Sequence, residues 1–337
     1  MGRVRQPPRL TSTSIRATLT ATLRTLTADR GDSGVRLDLV LRRHLTDVRA
    51  ASRTRVQAWI EDGRVTINGR IVSRVSTRTA LNDIVTVRFT EAARRRPAAS
   101  EAGHALGVLD VLYEDDHLLA LNKPAGVVVH PTYRNATGTM MNALLWHART
   151  WPEGQRPSLV GRLDKLTSGI LMVAKSAGVH AALQREMTSR RSEKDYLAVV
   201  HGRVNVARGA IDLRLAVDLN DRRRMVASTS GVPSLTQFVR IARGDELSLL
   251  RCRLVTGRRH QIRVHLAARG WPIVGDAIYT AQSANGTQRV FSRQALHASR
   301  VAFTHPVTSE RLALEAPVPD DMKTLLTGAG LRLHSSL

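Results

Sequence analysis

The sequence lacks several residue types that define common protein classes. Its 337 residues include one cysteine, Cys252, which excludes a disulfide framework, a cysteine-ligated zinc site and a Cys-X-X-Cys redox motif. A lone thiol is typical of a reducing compartment, and we expect a cytoplasmic location. Aromatic residues make up only 4% of the chain, so the predicted core is mostly aliphatic.

Nucleotide-binding, hydrolase and membrane signals are also missing. No Gly-x-x-x-x-Gly-Lys segment is present, no Gly-x-Gly-x-x-Gly follows a predicted strand, and there is no nucleophile elbow. His260 and His265 are five residues apart and share a face in neither a helix nor a strand, so no metal site is predicted. No apolar run is long enough to span a membrane, and no membrane partner is expected.

Acidic residues are scarce beside basic ones. The chain has 51 Lys and Arg against 28 Asp and Glu, a net charge of +23. Residues 1–100 hold 20 Arg and 8 Asp or Glu, a net charge of +12. This excess favours a nucleic-acid partner over a merely basic composition. Residues 1–34 are predicted to be a basic disordered tail, although a targeting segment has a similar composition.

Residues 35–90 are predicted to form one small α/β unit. Two helices come first, the second between Ser52 as N-cap and Gly63 as its stop. A hairpin at Asn68-Gly69 and a final strand complete the unit. Residues 91–107, which are rich in Ala, Gly, Arg and Pro, are predicted to be a linker to the second domain.

Arg53 and Arg55 begin the second helix of this unit and are placed to bind phosphates. A solvated helix face is the alternative reading of either arginine. The segments "RLDLVL", "SRTRVQAWIEDGRVTINGRIV" and "NDIVTV" resemble the S-four type RNA-binding domain. That resemblance implies that the helix pair, with both arginines, lies against structured RNA.

Residues 108–320 are predicted to be a larger domain, with a frayed tail at 321–337. "GRLDKLTSGILMVAKS", beginning at Gly161, places Asp164 on a loop before a buried strand, with a turn at Gly169. From these residues alone, Asp164 is either functional or a surface acid paired with Arg162. The predicted strands are Val108–Leu112, Leu118–Leu121, Val127–Val129 and Ile170–Ala174.

Four segments of this domain resemble the ribosomal large-subunit type (RluA-like) pseudouridine synthases. They are "KPAGVVVHP", "GRLDKLTSGILMVAKS", "EKDYLAVVHG" and "TGRRHQIRVHLAARGWPIVGDAIY", in the order and spacing of that family. The resemblance implies an α+β fold, with a catalytic domain on a mixed, largely antiparallel sheet flanked by helices. It also implies isomerisation of uridine to pseudouridine in RNA, without a cofactor.

The resemblance assigns roles to individual residues. Asp164 is implied as the essential carboxylate, Tyr196 as the phenol that packs on the target base, and Arg263 as the basic partner of the aspartate. Arg162 is the other basic residue of that motif, and Arg258 and His260 are carried over for RNA contact or loop shape. Together with Lys123 of the first segment, they are the predicted substrate-binding residues of this domain.

The sequence departs from the family pattern at two positions beside the implied carboxylate. Gly161 stands where the family usually has histidine, and Leu166 where it usually has an acid. Neither is the implied catalytic carboxylate, so the departures bear on target choice and rate more than on the reaction class.

Ribosomal RNA of the large subunit is the predicted substrate, and the protein is expected to be a monomer. The same reaction on transfer RNA is the alternative within the enzyme class. A non-catalytic RNA-binding ribosome-assembly factor and a DNA-binding protein are the alternatives outside it.

Overall fold

The computed structural model describes residues 20–45, 48, 51–91, 108–131, 137–280 and 291–332. The chain divides into two compact units, Met1–Arg96 and Pro97–Leu337. The predicted linker lies outside the described residues except for Glu91, as do residues 1–19 and 333–337. No helix in the described ranges is long and apolar enough to cross a membrane.

The first unit packs two helices on one antiparallel sheet of strand order β1-β4-β2-β3. In its described part, the elements are β1 Thr20–Thr27, α1 Leu37–His44, α2 Arg53–Glu61, β2 Val65–Ile67, β3 Arg70–Ile71 and β4 Ile84–Glu91. Trp59 of α2 stacks on Phe89 of β4 with ring centroids 5.0 Å apart, which joins helix and sheet in the core of this unit.

Local sequence explains the boundaries of α2 and of the hairpin that follows. The Ser52 hydroxyl accepts the Arg55 backbone N–H at 3.4 Å and caps the helix. Gly63 ends it with a φ of +70°. Asn68 and Gly69 both have positive φ, as the tight turn between β2 and β3 requires. The predicted helices, hairpin and final strand are confirmed.

The prediction of a disordered tail up to residue 34 is wrong for its described part. Strand β1 pairs with β4 along its whole length, from Thr20 opposite Glu91 to Thr27 opposite Ile84. The strand is rich in threonine, which suits a sheet, but it lies at the sheet edge and has few large apolar residues. The low hydrophobicity of this segment is therefore the reason that the sequence predicted a disordered tail.

The second unit is built on one large sheet of strand order β10-β13-β14-β9-β15-β8-β6-β5, to which β7 and β16 add at β8 and β15. Only β8 and β15 pair in parallel, so the sheet is mixed and largely antiparallel, as predicted. In the described ranges the elements of the second unit are β5 Val111–Glu114, β6 Leu118–Lys123, α3 Met140–His147, β7 Ser158–Val160, β8 Ser168–Ala174, α4 Ala177–Thr188, β9 Glu193–His201, β10 Arg208–Asp212, β11 Leu215–Val217, β12 Met225–Ala227, β13 Leu235–Arg243, β14 Leu247–Leu254, α5 Gln261–Ala268, β15 Leu296–Thr304, β16 Arg311–Glu315 and α6 Asp320–Gly328. Strands β11 and β12 form a separate two-stranded sheet.

Strand β8 is buried on both faces. Ile170 and Met172 belong to the apolar cluster that contains Leu183 of α4. Leu171 belongs to the cluster that contains Leu144 of α3. Because neither face meets water, the strand carries an unbroken apolar run instead of an alternating pattern. The predicted buried strand is confirmed, and it holds the loop that contains Asp164.

Two strand predictions in this unit are wrong. Val127–Val129 is not a strand, because the carbonyl groups of Val128 and Val129 accept the N–H groups of Met140 and Met141 at the start of α3. The first strand is also displaced from its predicted position and covers Val111–Glu114.

The predicted tail from residue 321 is wrong as far as the described residues reach. Helix α6 occupies Asp320–Gly328. Met322, Leu325 and Leu326 pack in the same cluster as the buried residues of β9 and β14. Apolar residues at helical spacing therefore anchor this segment to the core.

Candidate active site

The loop between β7 and β8 carries Asp164 and is fixed by hydrogen bonds on both sides. The Lys165 carbonyl accepts the Gly126 N–H at 2.9 Å. The Thr167 hydroxyl accepts from the Gln294 amide at 3.0 Å. The Asp164 side chain is 21% exposed, so a rigid loop presents its carboxylate at the edge of a cavity.

Lys123 supports this loop from beneath. Its Nζ donates to the carbonyls of Pro124, Val127 and Lys165 at 2.8 to 3.1 Å, and the residue is fully buried. Burial, with help from Arg293, lowers the pKa of this lysine to about 8. The prediction that Lys123 binds substrate is therefore wrong, because three backbone carbonyls occupy its buried ammonium group.

Gly169 allows β8 to lie against β15. The predicted turn here is wrong, since Gly169 is the second residue of β8 and pairs with Ala298. Its φ is +108°, and a Cβ atom would lie 2.2 Å from the Ala298 carbonyl oxygen. Only glycine permits this contact, which sets the position of the strand that follows the Asp164 loop.

Arg263, on the first turn of α5, joins two carboxylates. Its Nη1 donates to Asp164 Oδ2 at 2.8 Å. Its Nε and Nη2 donate to Asp276 at 2.6 and 2.8 Å. Asp164 thus pairs with Arg263, 99 positions along the chain, and the structure has no ion pair between Asp164 and Arg162 in its described part.

The environment of these groups alters their protonation. Burial would lower the pKa of Arg263, but the contacts with Asp276 and Asp164 outweigh it and leave that pKa above its usual value. Tyr196, on β9, has its pKa raised by burial and by the Asp164 carboxylate. The guanidinium is therefore charged, and the phenol keeps its proton at neutral pH.

His260 faces Asp164 from the residue before α5. Its Nε2 lies 3.7 Å from Asp164 Oδ2, and its Nδ1 lies 2.8 Å from the Tyr279 hydroxyl. Burial is the main cause that lowers the pKa of His260 to about 4. His265 is buried within α5 and does not line the cavity, so the two histidines point to different surroundings.

These groups open onto a cavity of about 530 Å³, within the range of small-molecule sites. Asp164 and Tyr196 line it together with His260 and Arg263. Among the described lining residues Asp164 is the sole carboxylate, and six are arginine or lysine. The arrangement therefore presents one ionisable acid within a cationic surface, as an anionic substrate requires.

The remaining predicted site residues lie at the rim or in the other unit. Arg162 and Arg258 line the cavity and are exposed, so their guanidinium groups can meet a polyanion. Arg53 and Arg55 are exposed on the first turn of α2, within the first unit.

Sequence reasoning missed three residues that shape the site. Asp276 orients Arg263, Tyr279 contacts His260, and Gln261 binds the Thr256 hydroxyl and the Arg258 N–H. All three lie within the quoted segment "TGRRHQIRVHLAARGWPIVGDAIY". The available signal was an acid, Asp276, three residues before a tyrosine, Tyr279. Asp276 lies 13 positions from Arg263, and this separation along the chain hid their contact.

The two departures from the family pattern differ in their surroundings. Gly161 has a φ of +80°, and a Cβ atom there would meet open space within the cavity lining. Leu166 is 37% exposed, and its carbonyl accepts from Arg293 at 3.4 Å. Neither position contacts the Asp164 carboxylate among the described hydrogen bonds.

Comparisons with known proteins identify the family and the fold. The family model described as RNA pseudouridylate synthase matches residues 117–268, and the S4 domain model matches residues 35–85. The human RNA pseudouridylate synthase domain containing 4 aligns with a TM-score of 0.58 at 23% identity, over 70% of this chain and 98% of its own. This structural similarity, at 23% identity, concerns the fold.

Two curated relatives are more similar in sequence. The uncharacterized RNA pseudouridine synthase YlyB of Bacillus subtilis is 39% identical over 82% of this chain and 88% of its own length. The ribosomal large subunit pseudouridine synthase D of Vibrio vulnificus is 36% identical over 87% of this chain and 90% of its own. With this identity along nearly the whole of both relatives, the chain belongs to the RNA pseudouridine synthase family of isomerases and carries an S4 domain before its catalytic domain.

Proposed function

We propose that this enzyme isomerises uridine to pseudouridine in structured large-subunit ribosomal RNA, with Asp164 as the reacting carboxylate. The observation that carries the proposal is the 2.8 Å contact between Asp164 and the buried Arg263 at a cationic cavity. The relative from Vibrio vulnificus, named for the ribosomal large subunit, supports this RNA class.

The reaction requires an ionised carboxylate beside the ribose. The bond between C1′ and N1 of uridine breaks, the uracil rotates, and C5 bonds to C1′. The proton leaves C5 and N1 gains one, so the product is an isomer and no oxidant or co-substrate enters. Asp164 can attack C1′ or remove the C2′ proton, and the Arg263 guanidinium, 2.8 Å away, holds the carboxylate in place for either route.

Tyr196 is suited to hold the detached base. Its ring lines the same cavity as Asp164, and its raised pKa keeps the phenol protonated. A protonated phenol stacks on uracil and donates a hydrogen bond, but it must first lose its own proton before it can accept one from C5. We therefore assign Tyr196 to packing on the base.

Positive charge around the cavity helps the target base to leave its stack. Unstacking a base costs a few kcal/mol, and contacts with phosphates offset this cost. Arg162 and Arg258 at the rim are placed for such contacts. In the first unit, Arg53 and Arg55 are proposed to bind phosphates of the same RNA. The enzyme is proposed to act as a monomer in the cytoplasm, where this RNA is assembled into ribosomes.

The test is the Asp164→Asn variant, because asparagine keeps the shape but removes the charge. RNA from cells without the gene is mapped for pseudouridine by chemical labelling and primer-extension stops. We expect a stop in large-subunit ribosomal RNA that returns with the wild type and not with Asp164→Asn, while RNA affinity stays within twofold of the wild type.

Asp245→Asn is the matched control, since Asp245 is an almost fully exposed acid paired loosely with Arg203. This variant should restore the stop. Full restoration by Asp164→Asn would exclude Asp164 as the reacting group. Loss and recovery of stops in transfer RNA alone would reassign the substrate.

A further inference from the structure

His260 adopts a backbone conformation that is unusual for its residue type. Its φ is +54° and its ψ is +17°, in the left-handed region, yet its carbonyl accepts the Val264 N–H at 3.0 Å as the first bond of α5. Such a conformation costs a non-glycine residue roughly 1–2 kcal/mol and is concentrated at functional sites. It directs the imidazole toward Asp164.

The hydrogen bonds around Tyr279 determine where the proton of His260 lies. The Tyr279 oxygen accepts the Met225 N–H at 2.8 Å and lies 2.8 Å from His260 Nδ1. A phenol has one proton, and donating it to Nδ1 lets the Tyr279 oxygen accept from Met225 while the hydroxyl donates to His260. The neutral imidazole then carries its proton on Nε2.

The opposite arrangement is disfavoured at both ends of the imidazole. If Nδ1 carried the proton, the Tyr279 oxygen would accept hydrogen bonds from both Met225 N–H and His260 Nδ1–H. The phenol proton of Tyr279 could then no longer bond to Nδ1. The lone pair of Nε2 would then face the Asp164 carboxylate at 3.7 Å, which is a repulsive contact.

We propose that Tyr279 and His260 form a positioning pair in which the tyrosine fixes the histidine tautomer and the histidine presents Nε2–H to Asp164. This inference rests on the proposed role of Asp164. Nε2–H and Arg263 approach the same oxygen, Oδ2, at 3.7 and 2.8 Å. Among the described residues no hydrogen bond reaches Oδ1, which leaves that oxygen for the ribose.

The electrostatic surroundings keep His260 neutral. Arg263 and Arg259 on its own segment oppose a second positive charge, whereas Asp164 and Asp276 favour it, and burial decides in favour of the neutral form. Arg224, the residue before β12, faces the pair from another segment, with its Cζ 5.7 Å from the centroid of the Tyr279 ring. A neutral donor can orient the carboxylate without neutralising it.

Tyr279→Phe removes only the hydroxyl. The ring still packs under Arg263, whose Cζ lies 5.0 Å from its centroid, and still meets His260 edge-on. We expect kcat on the ribosomal RNA substrate to fall roughly tenfold to a hundredfold, with KM within twofold. Losing a hydrogen bond to neutral Nδ1 raises the pKa of His260, so the acid limb of the kcat profile should move to higher pH.

Tyr113→Phe is the matched control, since its hydroxyl donates to Asp115 away from the cavity. It should keep the wild-type kcat and pH profile. As a rescue series, His260→Gln retains an N–H donor and should be at least fivefold more active than His260→Leu, provided that thermal unfolding shows both to be folded.

Nitrogen-15 NMR of histidine-labelled enzyme reads the tautomer directly. The wild type should carry the His260 proton on Nε2, and Tyr279→Phe should show a mixture. A wild-type proton on Nδ1, or a Tyr279→Phe enzyme with unchanged kcat and pH profile, would overturn the inference. If Asp164→Asn were active, the proposed function would fail instead, so the two failures are distinct.

Discussion

Arg263 holds Asp276 with two nitrogens and Asp164 with the third, so one guanidinium links a fully buried carboxylate to the carboxylate at the cavity. Asp276 is itself fixed, because its Oδ1 accepts the N–H groups of Ile278 and Tyr279. The pair with Asp276 therefore sets the direction from which Arg263 meets Asp164.

Asp276→Asn should disturb catalysis from outside the cavity. The variant leaves Arg263 charged and buried with one acid fewer, which costs about 3 kcal/mol of folding free energy. We expect kcat to fall roughly a hundredfold, because Arg263 without its Asp276 partner can turn toward Asp164 and change the orientation of the Asp164 carboxylate. Single-turnover kinetics and denaturant unfolding measure the two effects, with Asp245→Asn as control. A stable variant with wild-type kcat would contradict this positioning role.

Gly169→Ala should displace the loop that holds Asp164. The new Cβ would fall 2.2 Å from the Ala298 carbonyl oxygen, and the positive φ disfavours any side chain. We expect a loss of at least about 2 kcal/mol in unfolding free energy, together with reduced kcat.

Gly178→Ala is the control for this substitution. Gly178 lies in the first turn of α4, where a Cβ meets nothing within 4 Å, so this variant should be neutral or more stable by up to about 1 kcal/mol. Equal stability of the two variants in denaturant unfolding would mean that β8 and β15 can separate without cost.

Sequence patterns predicted correctly those helices, turns and strands whose formation depends on residues adjacent in the chain. The capped helix α2 and the Asn68-Gly69 hairpin are set by neighbouring residues, and strand β8 by its unbroken apolar run. Strand β1 was missed because its stability comes from pairing with β4, more than fifty residues away.

The residues of the site also fall into two groups, those whose place the motifs predicted and those whose surroundings depend on distant parts of the chain. Asp164, Tyr196 and Arg263 were predicted from motifs, and the structure brings all three to one cavity. Lys123 was assigned to substrate binding because it lies in one of the four motif segments. Its ammonium group is buried because three backbone carbonyls accept its hydrogen bonds, and no sequence pattern indicates these contacts.

Replacing Arg53 and Arg55 with alanine should weaken RNA binding through phosphates. Both side chains are exposed at the start of α2, so folding should be little affected. We expect the slope of log K against log salt to fall by about 2, one for each lost contact. Filter binding of structured ribosomal RNA at several salt concentrations measures the slope.

The control for this pair is Arg64 and Arg88, also replaced by alanine. Arg88 is exposed between the buried Val87 and Phe89 of β4, so it points to the sheet face opposite α1 and α2. If both double variants lost the same slope, general charge and not the helix face would account for binding.

His297 should make the second unit sensitive to acid. It is fully buried on β15, where Nδ1 meets the Ser168 hydroxyl of β8 at 3.0 Å. Burial is the main cause that lowers its pKa to about 4 from a usual 6.5. Between these values the unfolded chain binds more protons than the folded one, so stability is lost as pH falls through this window.

The size of this effect follows from the shift. From pH 7 to pH 4.5 the wild type should lose about 2.5 kcal/mol through His297, and His297→Gln should not lose this portion. Denaturant unfolding at both pH values measures the difference. Since His297 holds Ser168, the first residue of β8, acid should loosen the strand that supports Asp164 before it affects the first unit. Identical acid sensitivity of wild type and variant would show that folding does not lower the pKa of His297.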